Sequence, residues 1–386
     1  MASSNNPAKP VHILFVGAGA VGCFYASRLH HPSQNVYASL IARSNYKAII
    51  AAGGKVELQT HSFGNYTFAP YAVFPNIDAA VPSASSSSSG PEAAVGGEKS
   101  AGTGTPPSEG WDYIIVTTKA LPDRTDDAAM VAPLVSEKSC LVLIQNGVGV
   151  EAPYRARFPR NPIVSAVTVI SAEQIRNGVV RQNRWTRISL GPYGHGLGAP
   201  PGVGDQAGEE PVARLGDERM RALARWWTAL GGIRDVETHS ELELQTIRWH
   251  KLCINAAFNP TAVLSGGRGN ADQLTDPELR EHVLGIMHEI RDAAPLVLGK
   301  PLPDTLASPE KIVKSTERNT GGRPSMLLDW EAGRPMEIEV ILGNPVRIAR
   351  AKGVQMPRLQ SLYACLRSMQ RMREEREERE KGKGKL

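Results

Sequence analysis

Apolar and polar positions divide this chain into two regimes. Four short runs, Val11–Val16, Val36–Ile41, Tyr113–Val116 and residues 141–144, are apolar with few interruptions. Strands buried on both faces show such continuous runs, whereas half-exposed strands alternate. A helix is predicted over residues 23–29, so the chain opens as strand, helix, strand, the order of a parallel sheet in an α/β protein. Alternating character over 163–170, 179–182 and 186–190 predicts further strands, with an antiparallel pair among them. Beyond about Glu237 the apolar spacing becomes helical. The expected organisation is a flexible start over 1–10, an α/β unit over 11–237, an all-helical unit over 238–370 and a charged tail over 371–386. Two stretches interrupt the α/β unit. Residues 82–110 are rich in Ser, Gly and Pro, with a serine run from Ser85 to Ser89, and are expected to be disordered. Residues 193–216 form a Gly/Pro-rich loop leading to a helix expected from near Asp217.

The first apolar run ends in Gly17-Ala18-Gly19-Ala20-Val21-Gly22. In such a G-x-G-x-x-G string Gly17 allows a tight turn, Gly19 lets the backbone approach a pyrophosphate, and Gly22 lets helix and strand pack closely. The helix start at Ala20 and Val21 then turns its N–H groups toward phosphate. The string alone also suits a structural turn. With a strand before it, a helix after it and a second strand at Val36–Ile41, it reads as a dinucleotide site. An NAD site usually places an acid about 20 residues after the glycines to grip the ribose 2′-hydroxyl. Here the second strand ends in Ile41-Ala42-Arg43-Ser44, without an acid. Arg43 is a fixed cation suited to a 2′-phosphate, with Ser44 and Lys47 able to assist, so NADPH/NADP+ is expected. A plain surface arginine is the alternative.

Lys119 and Asn146 close two further runs, Tyr113–Val116 with Thr117-Thr118-Lys119, and 141–144 with Gln145-Asn146-Gly147. Ligands of open parallel sheets bind beyond the carboxyl ends of the strands. Lys119 there suits phosphate or ribose, and Asn146 suits the nicotinamide or the reacting group. Asn146-Gly147 read alone is equally a turn.

In the helical half, Lys251, Asn255 and Asn259 stand at steps of four among Leu252, Cys253, Ile254, Ala256, Ala257 and Phe258. On a helix they share one face. One ammonium and two amides on an apolar helix suit a cleft lining, with the lysine a proton donor if its pKa is lowered. The exposed side of an amphipathic helix is the other reading. Pro260 either ends this helix at Asn259 or kinks it.

Together these residues resemble the ketopantoate reductase (2-dehydropantoate 2-reductase) family. The likeness rests on GAGAVG, the arginine after the second strand, TTKA, QNG, the Lys-x3-Asn-x3-Asn helix, and Ser325-Met326-Leu327-Leu328-Asp329 followed by Glu337-Ile338-Glu339. It runs from about Val11 to about Gln360, interrupted by the two insertions. The resemblance implies a Rossmann domain followed by an all-helical C-terminal domain, with the active site between them. It implies NADPH-dependent reduction of ketopantoate to pantoate, in pantothenate and coenzyme A biosynthesis. It further implies Lys251 as general acid, Asn255 and Asn259 as substrate ligands, and Ser325 at the substrate carboxylate. Glu337 would bind a substrate hydroxyl or the cofactor near its nicotinamide, and Asn146 would sit where cofactor and substrate meet. Read by themselves, Glu337 suits the first turn of a helix and Ser325 a helix start.

The chain also departs from the family pattern. Pro324 stands where the family often has Ser, Thr320-Gly321-Gly322-Arg323 where an Asn is often found, and Leu342 where Asn often precedes the glycine. The loop after the lysine helix reads Gly266-Gly267-Arg268-Gly269-Asn270. These departures keep two other readings: a reductase of another branched 2-keto acid, and a non-catalytic NADP(H)-sensing protein.

Composition narrows the setting. A chain of 386 residues can bury two cores. No apolar run reaches membrane-spanning length, so no membrane association is expected. Cys23, Cys140, Cys253 and Cys365 are scattered, as in a reducing compartment, and the N-terminal stretch is neither apolar nor Arg-rich, so a cytoplasmic location is expected. Of the formal charge of +5, residues 367–386 hold +3, from eight Lys/Arg and five Glu, so no nucleic-acid-binding face is implied. Arg371/Glu375, Arg373/Glu377 and Glu375/Arg379 read as i,i+4 pairs on a solvated helix. No His/Cys set has metal-ligand spacing, and no metal is expected. The expected partner is a small 2-keto acid, with the chain a monomer or homodimer.

Overall fold

The computed structural model describes residues 9–82, 102–194, 196–200 and 210–383. The serine run, most of the first insertion and the first eight residues lie outside the described residues.

Ten strands form one mixed sheet: β1 (Val11–Val16), β2 (Val36–Ile41), β3 (Val56–Thr60), β4 (Gly64–Phe68), β5 (Val73–Phe74), β6 (Tyr113–Val116), β7 (Cys140–Leu143), β8 (Ile163–Arg176), β9 (Val179–Pro192) and β10 (Val236–Thr238). Their order is β4-β3-β9-β8-β7-β6-β1-β2-β5, with β10 beside β9. From β8 through β7, β6, β1 and β2 to β5 every pairing is parallel, while β8 with β9 and β3 with β4 are antiparallel. The helices are α1 (Ala20–Ser27), α2 (Tyr46–Ala51), α3 (Asp127–Val131), α4 (Ala152–Arg157), α5 (Glu210–Arg225), α6 (Glu241–Leu264), α7 (Asn270–Gln273), α8 (Pro277–Leu298), α9 (Pro309–Glu317), α10 (Ser325–Glu331), α11 (Asn344–Ala351) and α12 (Pro357–Lys383). A parallel α/β layer is thus followed by a helical region.

The continuous apolar runs have the expected cause. In β1, Ile13 and Phe15 enter a core with α1 and α5, while Leu14 and Val16 enter another with α3 and Trp111. Both faces are covered, so neither tolerates polar side chains. The helical region has its own core, led by Trp249, Phe258, Met287 and Leu359, and Val148 and Val150 from the loop after β7 join it. α6 starts at a capping box in which Ser240 and Glu243 satisfy each other's backbone N–H groups. It does not end at Asn259; it runs through Pro260 to Leu264.

Three expectations need correction. α5 begins at Glu210, not near Asp217. Pro211 is tolerated in a first helical turn, and Gly216 lies inside the helix, where a Cβ would meet Pro192 Cβ at 3.4 Å, an ordinary van der Waals contact. Residues 102–110 are built into the fold, since Val73 N–H reaches the Gly102 carbonyl at 3.1 Å and Thr103 bridges to Ala72. The start of the charged tail is not merely solvated. Arg373 donates to the Trp330 and Arg334 carbonyls and lies 4.4 Å from the Trp330 ring centroid, and Glu374 pairs with Arg124 from the loop after β6.

A Cβ at Gly22 would stand 2.0 Å from the Gly17 carbonyl oxygen and 2.6 Å from Thr117 Oγ1, whereas one at Gly19 would meet nothing within 4 Å. Gly22→Ala is therefore expected to cost about 1–3 kcal/mol by denaturant titration. Gly19→Ala should stay within about 0.5 kcal/mol of wild type.

Candidate active site

The glycine loop is held in place before any ligand arrives. Gly17 adopts φ +116°, and its N–H donates to the Ile41 carbonyl at the end of β2. Thr117 Oγ1 donates to the Gly17 carbonyl at 2.7 Å. Asn45, buried, donates to the Ala18 carbonyl at 2.6 Å and so ties the turn bearing Arg43 to the loop. Gly19 caps α1 with no side chain of its own, and the first-turn N–H groups that follow have no intrahelical acceptor. The open space beside Gly19 is a cradle that a side chain would fill, and it fits a dinucleotide phosphate. Arg43 is exposed in the turn that follows β2, with φ +38°.

A second group gathers beyond β7. Lys251 Nζ donates to Asn146 Oδ1 at 2.8 Å, and Asn146 Nδ2 donates to Glu337 Oε2 at 3.3 Å. The amide presents its oxygen to the cation and its NH2 to the carboxylate, so both partners fix its orientation. Glu337 also accepts the Ala120 N–H at 3.2 Å. Burial first, and the Arg248 cation beside it, lower the Lys251 pKa to about 8 against the opposing charge of Glu337. Burial pushes the Glu337 carboxyl above its ordinary value, against the Ala120 and Asn146 hydrogen bonds. An ammonium that loses its proton near neutrality is poised as a proton donor.

Asn255 lines the same narrow cleft, with Gln145, Gly147, Val167 and Leu252. Asn259 is buried one turn further along α6, and Ser325 is exposed at the first residue of α10. Among the described residues neither is hydrogen-bonded to the Lys251–Asn146–Glu337 chain. Lys119 pairs with the buried Asp329 of α10, which also holds Arg334. Glu337 does not sit inside a helical turn; it directly precedes one, and its side chain faces the loops after β6 and β7.

Sequence reasoning missed Thr117, Asn45, Asp329 and Arg248. The first two sit at strand ends, and that position was the available signal. Arg248 is 3% exposed and forms an ion pair with Glu151, itself fully buried, at 3.1 Å. Its place three residues before Lys251 was the only signal in the sequence.

Comparison with known proteins agrees with this geometry. The family described as "Ketopantoate reductase PanE/ApbA" matches residues 13–195, and "Ketopantoate reductase PanE/ApbA C terminal" matches residues 243–370. A 2-dehydropantoate 2-reductase of Nostoc sp. is 23% identical over 348 residues, covering 90% of this chain and 92% of that protein. An uncharacterized protein of Saccharomyces cerevisiae is 26% identical over 385 residues, covering 92% of each. The crystal structure of 2-dehydropantoate 2-reductase from Methylococcus capsulatus superposes with a TM-score of 0.70 at 30% identity, covering 94% of this chain and 98% of that one. With both halves matched in order and the fold shared over nearly the whole length, the chain belongs to the ketopantoate reductase family, whose members are oxidoreductases using nicotinamide dinucleotides.

Proposed function

We propose that this protein reduces 2-dehydropantoate to pantoate with NADPH, as a cytoplasmic monomer or homodimer serving pantothenate and coenzyme A synthesis. The observation that carries the reading is the Lys251–Asn146–Glu337 chain at the carboxyl end of β7, with Lys251 near neutrality. Bound NADPH supplies the hydride. As the hydride reaches C2, negative charge grows on the carbonyl oxygen. The Lys251 ammonium stabilises that charge and gives the oxygen its proton. Asn146 holds Lys251 at the point where cofactor and substrate meet. Asn255, Asn259 and Ser325 bind the substrate, the Ser325 hydroxyl at the substrate carboxylate, and Glu337 takes a substrate hydroxyl or the nicotinamide end of the cofactor. Gly17, Gly19, Ala20, Val21 and Gly22 receive the pyrophosphate and Arg43 the 2′-phosphate, while Lys119 faces phosphate or ribose from the loop after β6. Reduction of a different branched 2-keto acid is the second reading. It is favoured by the 266–269 loop, which joins the 320–323 turn through the Asn270 N–H to Gly322 carbonyl bond, where family positions are altered.

Absorbance decay of NADPH with ketopantoate tests the first reading, and a panel of 2-keto acids the second; binding of NADPH without any turnover would leave a sensor. Lys251→Ala is expected to lower kcat by about 10²–10⁴-fold with the NADPH affinity kept. As the donor must be protonated, kcat/KM should fall as pH rises through about 8. Arg43→Ala should raise the KM for NADPH on the order of tenfold while leaving that for NADH unchanged, in initial-rate measurements.

A further inference from the structure

We propose that Arg248 is the positioning residue of this site: its guanidinium fixes the Gln145–Gly147 turn so that the Asn146 amide meets the Lys251 ammonium. The proposal rests on the reading of Lys251 as proton donor. Arg248 lies one turn before Lys251 on α6. Its Nη1 donates to the Gln145 carbonyl at 2.8 Å and the Gly147 carbonyl at 2.9 Å, the two groups flanking Asn146. Its Nη2 donates to Ser165 Oγ at 2.6 Å and the Ala166 carbonyl at 3.1 Å on β8. Its Nε faces Glu151 Oε1 at 3.1 Å. The four Nη N–H groups are thereby directed at protein acceptors, while Nε makes only the ion-pair approach to Glu151. Arg248 lines the cleft with both Nη groups already committed to protein acceptors, so it acts through the turn. Glu151 is oriented in turn by Ser165 Oγ at 2.5 Å and Gln245 Nε2 at 3.0 Å. The fork joins α6, β8 and the end of β7 at one point, which a lysine's single nitrogen cannot reproduce.

The same cation acts on Lys251 through space. The charged groups facing Lys251 are Arg248 from its own helix and Glu337 from the segment before α11, with Lys119 and Asp329 facing Glu337 in turn. Arg248 disfavours a second ammonium beside it and so adds to the effect of burial.

The test compares wild type with Arg248→Met/Glu151→Gln, which removes both buried charges together, and with Arg248→Lys. Lys251→Ala is carried alongside. Denaturant titration establishes folding, ¹³C-lysine NMR titration reads the Lys251 pKa without turnover, and NADPH oxidation with ketopantoate gives kcat/KM. In the folded double variant NADPH should bind unchanged, the Lys251 pKa should move up, and kcat/KM should fall about 10²-fold. Arg248→Lys should restore the low pKa but not the rate. A wild-type rate and pKa in the folded double variant overturns the proposal. If the double variant does not fold, a wild-type rate in Arg248→Lys overturns it instead. Undiminished turnover in Lys251→Ala overturns the donor reading beneath it. A collapsed Lys251→Ala beside a double variant at wild-type rate overturns the positioning role alone.

Discussion

Gly147 leaves no room for a side chain: a Cβ there would stand 2.3 Å from the Val340 carbonyl oxygen. That close approach is the constraint on which the site depends. The turn after β7 is pressed against the start of the last helical segments, where Val148 N–H donates to the Val340 carbonyl at 3.0 Å and Asn344 Nδ2 to the Val148 carbonyl at 2.9 Å. A positive φ of +83° at Gly147 turns the chain so that this contact forms. Because Glu337 lies three residues before Val340, the contact brings the carboxylate to Asn146. From the other side α6 delivers Lys251. The Asn146 amide therefore links α6 to the segment that carries Glu337.

Burial gives that meeting point its chemistry. Lys251 and Glu337 are withdrawn from water, which disfavours both charges, and their pKa values move toward each other. Arg248 stays charged nearby because Glu151 and four other acceptors compensate it. Removing one partner of such a buried pair typically costs about 3–5 kcal/mol, since the other charge is then stranded. The pair is poor evidence for net stability. Its value lies in locating three chain segments relative to one another.

The C-terminal helix extends the same logic outward. Arg373 lies over Trp330 next to α10, and Glu374 reaches Arg124 in the loop that also carries Lys119. With Lys119 on Asp329, this loop is tied to the helical region at two places. A charge-rich tail and the loop after β6, separated by about 250 positions, share one interface. Exposed pairs of this kind contribute little each, so the tail's role is chiefly one of placement.

Much of the fold was legible along the chain, because local rules govern it. Continuous apolar runs marked strands covered on both faces, the glycine string marked a strand–turn–helix, and the period-four stripe marked α6. Each signal depends on residues within one or two turns of each other. Position along a strand likewise placed Asn146 and Lys119 at carboxyl ends. The start of α5 was misread because Gly216, which lies inside the helix, looks in sequence like a loop glycine. The open question at Lys251, cleft lining or solvated face, could not be decided from its own helix. Its answer lay in Asn146 and Glu337, whose partnerships cross 105 and 191 positions for the two hydrogen bonds of the chain. Sequence by itself determined which residue types were available and on which local element each would sit. Only the tertiary structure decided that Lys251 meets Asn146 in a cleft and that Lys119 meets Asp329. Desolvation and pairing are properties of what surrounds a side chain, and those surroundings come from distant parts of the chain.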